Sequence, residues 1–142
     1  MTIKQINDGY IIRLDKGELL VENLLKLAKQ NEINGAWING LGAAKWVEIG
    51  FYDLPSKRYE WSKINQPLEI LSLQGNIAWD NNEPIIHIHG SFSDDKMQTL
   101  GGHVKELEVG GTCEIIINTL NGSELLRLHD EDTGLKLLKL ED

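Results

Sequence analysis

Apolar residues follow a helical period in one part of the chain. Between residues 18 and 32 they recur at helical spacing, at Leu20, Leu24, Leu27 and Ala28. This spacing predicts an amphipathic helix that buries the stripe against a core. Glu18 places a negative charge at the positive end of the predicted helix, and Asn34-Gly35 provides a stop after it.

The pattern in the rest of the chain predicts short strands. One apolar run precedes the helix, and many follow it, separated by Gly, Asn, Asp and Pro. The predicted strands cover residues 10–14, 36–38, 46–52, 59–61, 68–78, 85–92, 112–120 and 124–128. Because helices do not alternate with strands, we expect an α+β fold: a central, mainly antiparallel β-sheet with one main helix packed on it, in a single domain spanning residues 1–142.

Composition and charge limit the classes of partner. The 142 residues carry 41% hydrophobic side chains and a net charge of -8, which suits a globular protein and disfavours a nucleic-acid surface, because phosphates are bound mainly by Lys and Arg. Since no apolar run approaches the roughly 20 residues of a membrane helix, we expect no membrane association. The only cysteine, Cys113, cannot form an internal disulfide, so we expect a cytoplasmic location.

Three histidines are the most informative candidate site residues. His87 and His89 alternate with isoleucines, so on a strand both imidazoles point to one face and the isoleucines to the core. His103 follows two glycines, which we expect to bend the backbone and direct the third imidazole to the same point. Neutral imidazole is the commonest metal ligand, and three histidines with an open fourth position are a known zinc arrangement. The alternative is that the pair forms an ordinary polar strand face.

Two acids and two arginines are candidates for the surroundings of this site. Glu69 and Glu114 are carboxylates within otherwise apolar strands, where burial is costly unless the charge is paired. Arg13 and Arg127 are possible ion-pair partners. A carboxylate that orients a metal-bound imidazole is a common arrangement, so these four residues could line the metal site or a ligand pocket. For each isolated acid, simple exposure to solvent is the competing interpretation.

Several sequence blocks together resemble the plants-and-prokaryotes-conserved (PPC) domain, in the stand-alone form of prokaryotes. The opening Arg13-Leu14 with Gly17-Glu18 and the closing Arg127 with Asp130 and Thr133-Gly134 resemble the ends of that domain. The central blocks are Glu69-Ile70-Leu71-Ser72-Leu73-Gln74-Gly75, His87-Ile88-His89, Gly101-Gly102-His103 and Thr112-Cys113-Glu114. Their order and separations match across nearly the whole chain.

The resemblance implies a homotrimer and an association with DNA. The DNA label of the family comes largely from plant members that carry AT-hooks, whose Arg-Gly-Arg-Pro core enters the minor groove. No such stretch is present, and Gln66-Pro67-Leu68 stands where plant members carry a Gly-Arg-Phe run that binds partners. The histidines match prokaryotic members that hold a metal, so the resemblance favours a divalent metal, with zinc first, at His87, His89 and His103.

Three hypotheses for function therefore remain. The first is a trimeric module that binds a metal or small ligand at the histidine site, with a DNA-associated or regulatory role. The second is a hydrolase-like or lyase-like enzyme that uses a metal-bound water, with Glu69 or Glu114 as base. The third is a protein that binds DNA directly, which the net charge of -8 disfavours.

Overall fold

The strands and the helix follow the order that the sequence predicts, with longer strands. In a computed structural model that describes residues 1–120 and 122–140, the chain forms nine strands and one helix. These are β1 (Thr2–Ile6), β2 (Gly9–Asp15), α1 (Leu20–Gln30), β3 (Ala36–Asp53), β4 (Arg58–Ile64), β5 (Leu68–Asp80), β6 (Glu83–Ser93), β7 (Thr99–Thr119), β8 (Leu126–His129) and β9 (Lys136–Lys139).

All nine strands belong to one sheet. The main path runs β1-β2-β7-β3-β5-β8-β9, β4 pairs with β3, and β6 pairs with both β5 and β7. Because β6 joins β5 to β7, the strands β3, β5, β6 and β7 form a closed circuit of pairs. Every pairing is antiparallel except the contact of Trp79 on β5 with Leu126 on β8. The predicted α+β class and mainly antiparallel sheet are confirmed.

The core lies between the helix and the inner faces of the strands. The predicted helical stripe is fully buried, and the isoleucines that alternate with the histidines of β6 are buried as well. The other inner-face residues come mostly from β2, β3, β5 and β7 and are aliphatic. They include Ile12, Leu14, Ile38, Val47, Leu73, Ile77, Leu107, Val109, Cys113, Ile115 and Ile117.

The start of the helix is satisfied from another element. Leu19 occupies the N-cap position and provides no side-chain hydrogen bond. Instead, the carboxylate of Glu106 on β7 accepts hydrogen bonds from the backbone N–H groups of Val21 at 2.7 Å and Glu22 at 3.1 Å. Glu18, which the sequence assigned to the helix, lies before it and accepts from the N-terminal amine of Met1 at 2.7 Å. The first turn of the helix is therefore capped by a side chain of the sheet.

The long strands β3 and β7 differ from the sequence prediction. β3 joins two predicted runs, and its pairing shifts register near Gly40, Gly42 and Ala44 instead of ending. A Cβ at Gly42 would lie 2.2 Å from the carbonyl oxygen of Thr112, so this glycine permits the close approach of β3 and β7. Bulges and glycines interrupt the period of two without ending a strand, which is why residues 39–45 and 99–111 did not read as strand.

A group of apolar side chains lies exposed on the face opposite the core, called here the outer face. Ile11 on β2 lies opposite Ile116 on β7, and the neighbouring strands add further residues. The exposed residues of this patch are Ile11, Trp37, Leu41, Leu71 and Ile116. Among the described residues, no helix is long and apolar enough to cross a membrane.

Candidate metal centre

The three histidines meet on the outer face of the sheet. His87 and His89 lie on β6, and their neighbours Ile86 and Ile88 point into the core, as the alternation predicts. His103 lies on β7 directly opposite His89 in the antiparallel register. Cross-strand pairing therefore brings the third imidazole to the first two.

The geometry of the three rings suits one small ion. One ligand nitrogen from each ring lies within 4.8 Å of the other two, and the ring centroids form a nearly equilateral triangle with sides of 5.1, 5.2 and 5.3 Å. The Nε2 atoms of His87 and His89 are 3.2 Å apart. Tetrahedral zinc with Zn–N bonds of about 2.0–2.1 Å separates its ligand nitrogens by about 3.3 Å. The observed separation therefore fits this coordination.

The glycines before His103 do not form the bend that the sequence suggested. Gly101 and Gly102 lie within the extended strand β7, so the expectation of a bend is wrong. Their role is close approach: a Cβ would lie 2.5 Å from the carbonyl oxygen of Gly90 at the first position, and 2.9 Å from that of Gly50 at the second. Small residues here let β7 lie tightly between β6 and β3, which fixes the position of His103.

Arg127 is the one non-histidine residue of the predicted set that reaches the site. Its side chain is buried, with 7% exposed. Nη2 contacts Nδ1 of His87 at 3.1 Å and donates to Oδ1 of Asn76 at 2.9 Å, while Nη1 donates to the carbonyl oxygen of Lys136 at 2.6 Å. The guanidinium is thus held against β6 from β8.

The contact between Arg127 and His87 determines which ring nitrogen of His87 carries the proton. A guanidinium only donates, so Nδ1 of His87 accepts, and neutral His87 carries its proton on Nε2 and donates it to Nε2 of His89. Ligation of a metal through Nε2 needs the lone pair of that atom, which moves the proton to Nδ1 and breaks the hydrogen bond from Arg127. The usual partner of a metal-bound histidine is an acceptor, so Arg127 is an unusual neighbour.

Burial and positive charge keep two of the imidazoles neutral. Burial, then the charge of Arg127, then His89 lower the pKa of His87 from 6.5 to about 4. Burial, followed by the two other histidines and Arg127, lowers the pKa of His103 from 6.5 to about 4. Neutral imidazole is the form that binds a metal, so both rings are ready to ligate at neutral pH.

An aromatic wall from β4 covers one side of His103. The ring of Tyr59 lies 4.9 Å from that imidazole and stacks on Trp61 at 4.7 Å. The loop between β8 and β9 closes the neighbouring side, where Tyr52 donates to the carbonyl oxygen of Thr133 at 2.6 Å. Thr133 in turn donates to the carboxylate of Asp130 through its N–H at 2.8 Å and its hydroxyl at 2.6 Å. Burial raises the pKa of Tyr59, so this ring remains a neutral phenol.

The remaining predicted residues lie elsewhere on the sheet. Glu69 is exposed and pairs with Ser93, about 13 Å along β6 from His89. Glu114 is exposed and lies opposite Arg13, up to about 35 Å along β7 from His103. Arg13 hydrogen-bonds to Asp15 at 3.1 Å. The structure therefore brings neither acid, nor Arg13, to the three histidines.

Two residues of the site were not predicted from the sequence. Asn76 pairs with His87 across β5 and β6, and its two-residue spacing from Gln74 is the signal that could have placed it on the same face. Tyr59 reaches His103 through β4 and β3, because Gly50 pairs with both Trp61 and His103. That long-range pairing leaves no local trace in the sequence.

The first 121 residues match the model of a known family, the Plants and Prokaryotes Conserved (PCC) domain. The matched segment contains all three histidines and ends before Arg127.

Solved structures of similar proteins share the whole fold. A metal-containing protein from Archaeoglobus fulgidus is 34% identical, with a TM-score of 0.87 over 98% of this chain and 99% of that one. A candidate DNA-binding protein from Ralstonia eutropha is 31% identical, with a TM-score of 0.92 over 98% and 96%. A plant- and prokaryote-conserved protein from Pyrococcus horikoshii is 29% identical, with a TM-score of 0.88 over 99% and 95%.

A curated relative is much longer than this chain. The bifunctional protein GlmU of a Synechococcus strain is 25% identical over 134 residues, which cover 93% of this chain and only 20% of the relative. The chain thus spans about a fifth of that protein, whose name describes a larger molecule.

Proposed function

Since the chain belongs to the Plants and Prokaryotes Conserved domain family, we propose that it is a stand-alone, homotrimeric member that binds a divalent metal, zinc first, through His87, His89 and His103. The observation that carries the proposal is the convergence of three imidazole nitrogens within 4.8 Å. The metal-containing relative from Archaeoglobus fulgidus supports it. Among the described residues, no carboxylate completes the cluster, which favours zinc over calcium or magnesium.

The atoms of the site fit such an ion. Nδ1 of His103 is buried without a hydrogen-bond partner in the described part of the chain, and buried polar atoms rarely remain so. Zinc accepts three imidazoles and leaves a fourth position open. When bound, the ion would supply a Lewis-acidic centre, while Arg127, Asn76 and Tyr59 shape and orient its surroundings.

The outer face supports the proposed trimer. Ile11, Trp37, Leu41 and Ile116 are between 37% and 56% exposed and lie on adjacent strands, and a contiguous apolar patch of this kind marks an association surface. Trp37 also lines a depression with His87 and His89. We further propose a cytoplasmic location, which the single buried Cys113 supports.

A regulatory or DNA-associated role would then depend on a further partner. Similar proteins are described as candidate DNA-binding proteins, whereas this chain carries a net charge of -8. The enzymatic alternative has less support, because Glu69 and Glu114 lie away from the histidines. Cys113 is no nucleophile either, since burial raises the pKa of its thiol to about 12.

Metal analysis of purified protein tests the proposal. We expect roughly one zinc per chain after purification in zinc-containing buffer, and a sharp loss in each of H87A, H89A and H103A. His129 is exposed at the far end of β8, so H129A is the matched control and should keep the metal. Equal metal content in the four variants, or none in the wild-type protein, would refute the proposed site.

A further inference from the structure

A cavity beside the three histidines is lined by residues of five different strands and a loop. Its volume is about 250 Å³, below the usual range of drug-sized pockets, so it suits a small molecule. Most of its walls are apolar side chains and one aromatic ring. The lining includes Tyr59, Ile85, Leu135 and Leu137, together with His87, His103 and Arg127.

The positive charge of Arg127 has no counter-charge within the described chain. The side chain is 7% exposed, yet its three assigned contacts are all to neutral acceptors, namely Asn76, His87 and the carbonyl oxygen of Lys136. Lys136 itself pairs with Asp80. Buried charges are normally paired. A buried guanidinium without a carboxylate therefore indicates that an anion from outside the chain completes the site.

The free donor of Arg127 lies on the edge that binds carboxylates. Nε is buried and has no hydrogen-bond partner in the described residues. Nε and Nη2 form one edge of the planar guanidinium, which can hold both oxygens of a carboxylate. His103, which lines the same cavity, contains the other buried atom without a partner in the described residues, Nδ1. Two lining residues with unpartnered buried atoms are the second observation that points to a ligand.

We propose that this cavity binds a small organic carboxylate, with the carboxylate held by the Nε edge of Arg127 and a short apolar body between Tyr59, Leu135 and Leu137. The proposal deepens the proposed function, because the ligand would lie beside the metal centre. Binding of the carboxylate rests on Arg127 and does not require the metal. A bound metal would raise the affinity for the carboxylate, because it adds positive charge and frees Nη2 by breaking the contact with His87.

A carboxylate fits better than a phosphate or a phosphoester. The planar guanidinium edge matches two oxygens in one plane, and the apolar lining would leave the further oxygens of a phosphate without partners, which is unfavourable. Among the described residues lining the cavity, the only other cation is Lys136, which is paired with Asp80. Phosphate therefore serves as a control ligand.

The experiment follows two ¹⁵N NMR signals while butyrate is titrated into the full chain, once after chelator treatment and once with zinc. They are the Nε–H of Arg127 and the backbone N–H of Leu137, which also lines the cavity and remains observable in R127K. Butyramide has the same shape without the charge, and inorganic phosphate is the second control. The variants are R127K, which keeps the charge without the Nε donor, and L135W, which fills the cavity from the loop and leaves Arg127 intact. R58K, on an exposed position of β4, is the matched control.

We expect a saturable shift with butyrate in both samples, at least about tenfold weaker binding of butyramide and phosphate, and a similar loss in R127K and L135W but not in R58K. No saturable shift, equal binding of butyramide or phosphate, or unchanged affinity in R127K and L135W would overturn the proposal. Metal analysis of the same samples separates the two claims: absence of zinc refutes the metal site, while the chelator-treated titration still decides the carboxylate.

Discussion

Burial and one buried arginine together shape the electrostatics of the three-histidine site. Arg127 donates to Nδ1 of His87 and lowers the pKa of both His87 and His103, in each case after burial as the larger cause. The imidazoles of His87 and His103 are therefore neutral at neutral pH without any ion present. Neutral rings need no deprotonation before they ligate, which favours metal binding by these two histidines at neutral pH.

The lowered pKa values of the histidines predict how stability depends on pH. The folded pKa, about 4, lies below the unfolded value of 6.5, so the unfolded chain binds more protons between these values. The contribution of the two histidines to the free energy of unfolding is therefore fully present above pH 6.5 and declines as pH falls toward 4. Thermal melts of chelator-treated protein between pH 7 and pH 4 measure this decline.

The variant H103Q removes one of the two histidines with a lowered pKa. Its stability should therefore decline less steeply with falling pH than that of the wild-type protein. H129Q changes an exposed histidine and should follow the wild-type curve, which also corrects for carboxylates that titrate at the low end. An identical pH dependence in the wild-type protein and H103Q would contradict the assigned burial of His103.

At this scale the sequence predicts the histidines better than their neighbours. Alternation with isoleucine placed His87 and His89 on one strand face, because side chains of a strand alternate between its faces. The contact of Arg127 with His87 joins residues 40 positions apart. No local period encodes such a contact, so the spacing analysis could list Arg127 only beside Arg13, which lies elsewhere.

Among the secondary-structure elements, the strands β3 and β7 make the most residue pairings in the sheet. Each is paired with at least three other strands, and together they hold His103, the aromatic wall and the helix cap in register. Their glycines and bulges obscure the alternation that identifies a strand, so the sequence divided β3 into two parts and found only the second half of β7. The amphipathic helix was easier to predict because its stripe is uninterrupted.

The cap that β7 supplies to the helix gives a stability prediction. The carboxylate of Glu106 accepts from the N–H groups of Val21, Glu22 and Leu107, and E106A leaves these donors without that partner. We expect a loss of about 1–2 kcal/mol in the free energy of unfolding, the usual cost of losing a helix cap.

Chemical denaturation measures this loss. The matched control is E48A, on the position opposite Glu106 in the register, where the carboxylate pairs with Lys105 near the surface. Such pairs contribute about 0–1 kcal/mol, so E48A should destabilise less. Equal effects of the two substitutions would show that the cap does not stabilise the helix.

The proposed assembly gives a prediction for the whole molecule. Light scattering on purified protein should report about three times the chain mass of 16.0 kDa, because association buries the apolar patch of the outer face. I116K places a charge at the centre of that patch and should lower the mass to that of a monomer. L54K, at an exposed apolar position in the turn after β3, is the control and should leave the mass unchanged. A monomeric wild-type protein would contradict the trimer.

The charge of the whole molecule predicts weak DNA binding. Many lysines are paired with acids, as in Lys26–Glu22, Lys45–Glu108 and Lys105–Glu48, and the net charge is -8. Fluorescence anisotropy with duplex DNA at physiological salt should show at most weak, salt-sensitive binding. Sub-micromolar, sequence-selective binding would contradict this expectation.

The class of fold could be predicted from the sequence more fully than the arrangement of its edges. One helical stripe among many short apolar runs was sufficient to predict an α+β fold. The edge strands β1 and β9 were missed because most of their residues are exposed and an edge strand with no buried face has no alternating pattern. The closed circuit through β6 was not predictable either, since register between distant strands is a property of the assembled sheet.

X-ray absorption at the zinc edge tests the metal centre most directly, because it reports the ligands themselves. On zinc-replete wild-type protein we predict a first shell of nitrogen or oxygen at about 2.0–2.1 Å, with the outer-shell scattering of three imidazoles and no sulfur. The H103A variant should retain two imidazoles or lose the metal. A shell with fewer than three imidazoles in the wild-type protein, or protein that retains no zinc, would contradict the account and leave His87 and His89 as a polar strand face.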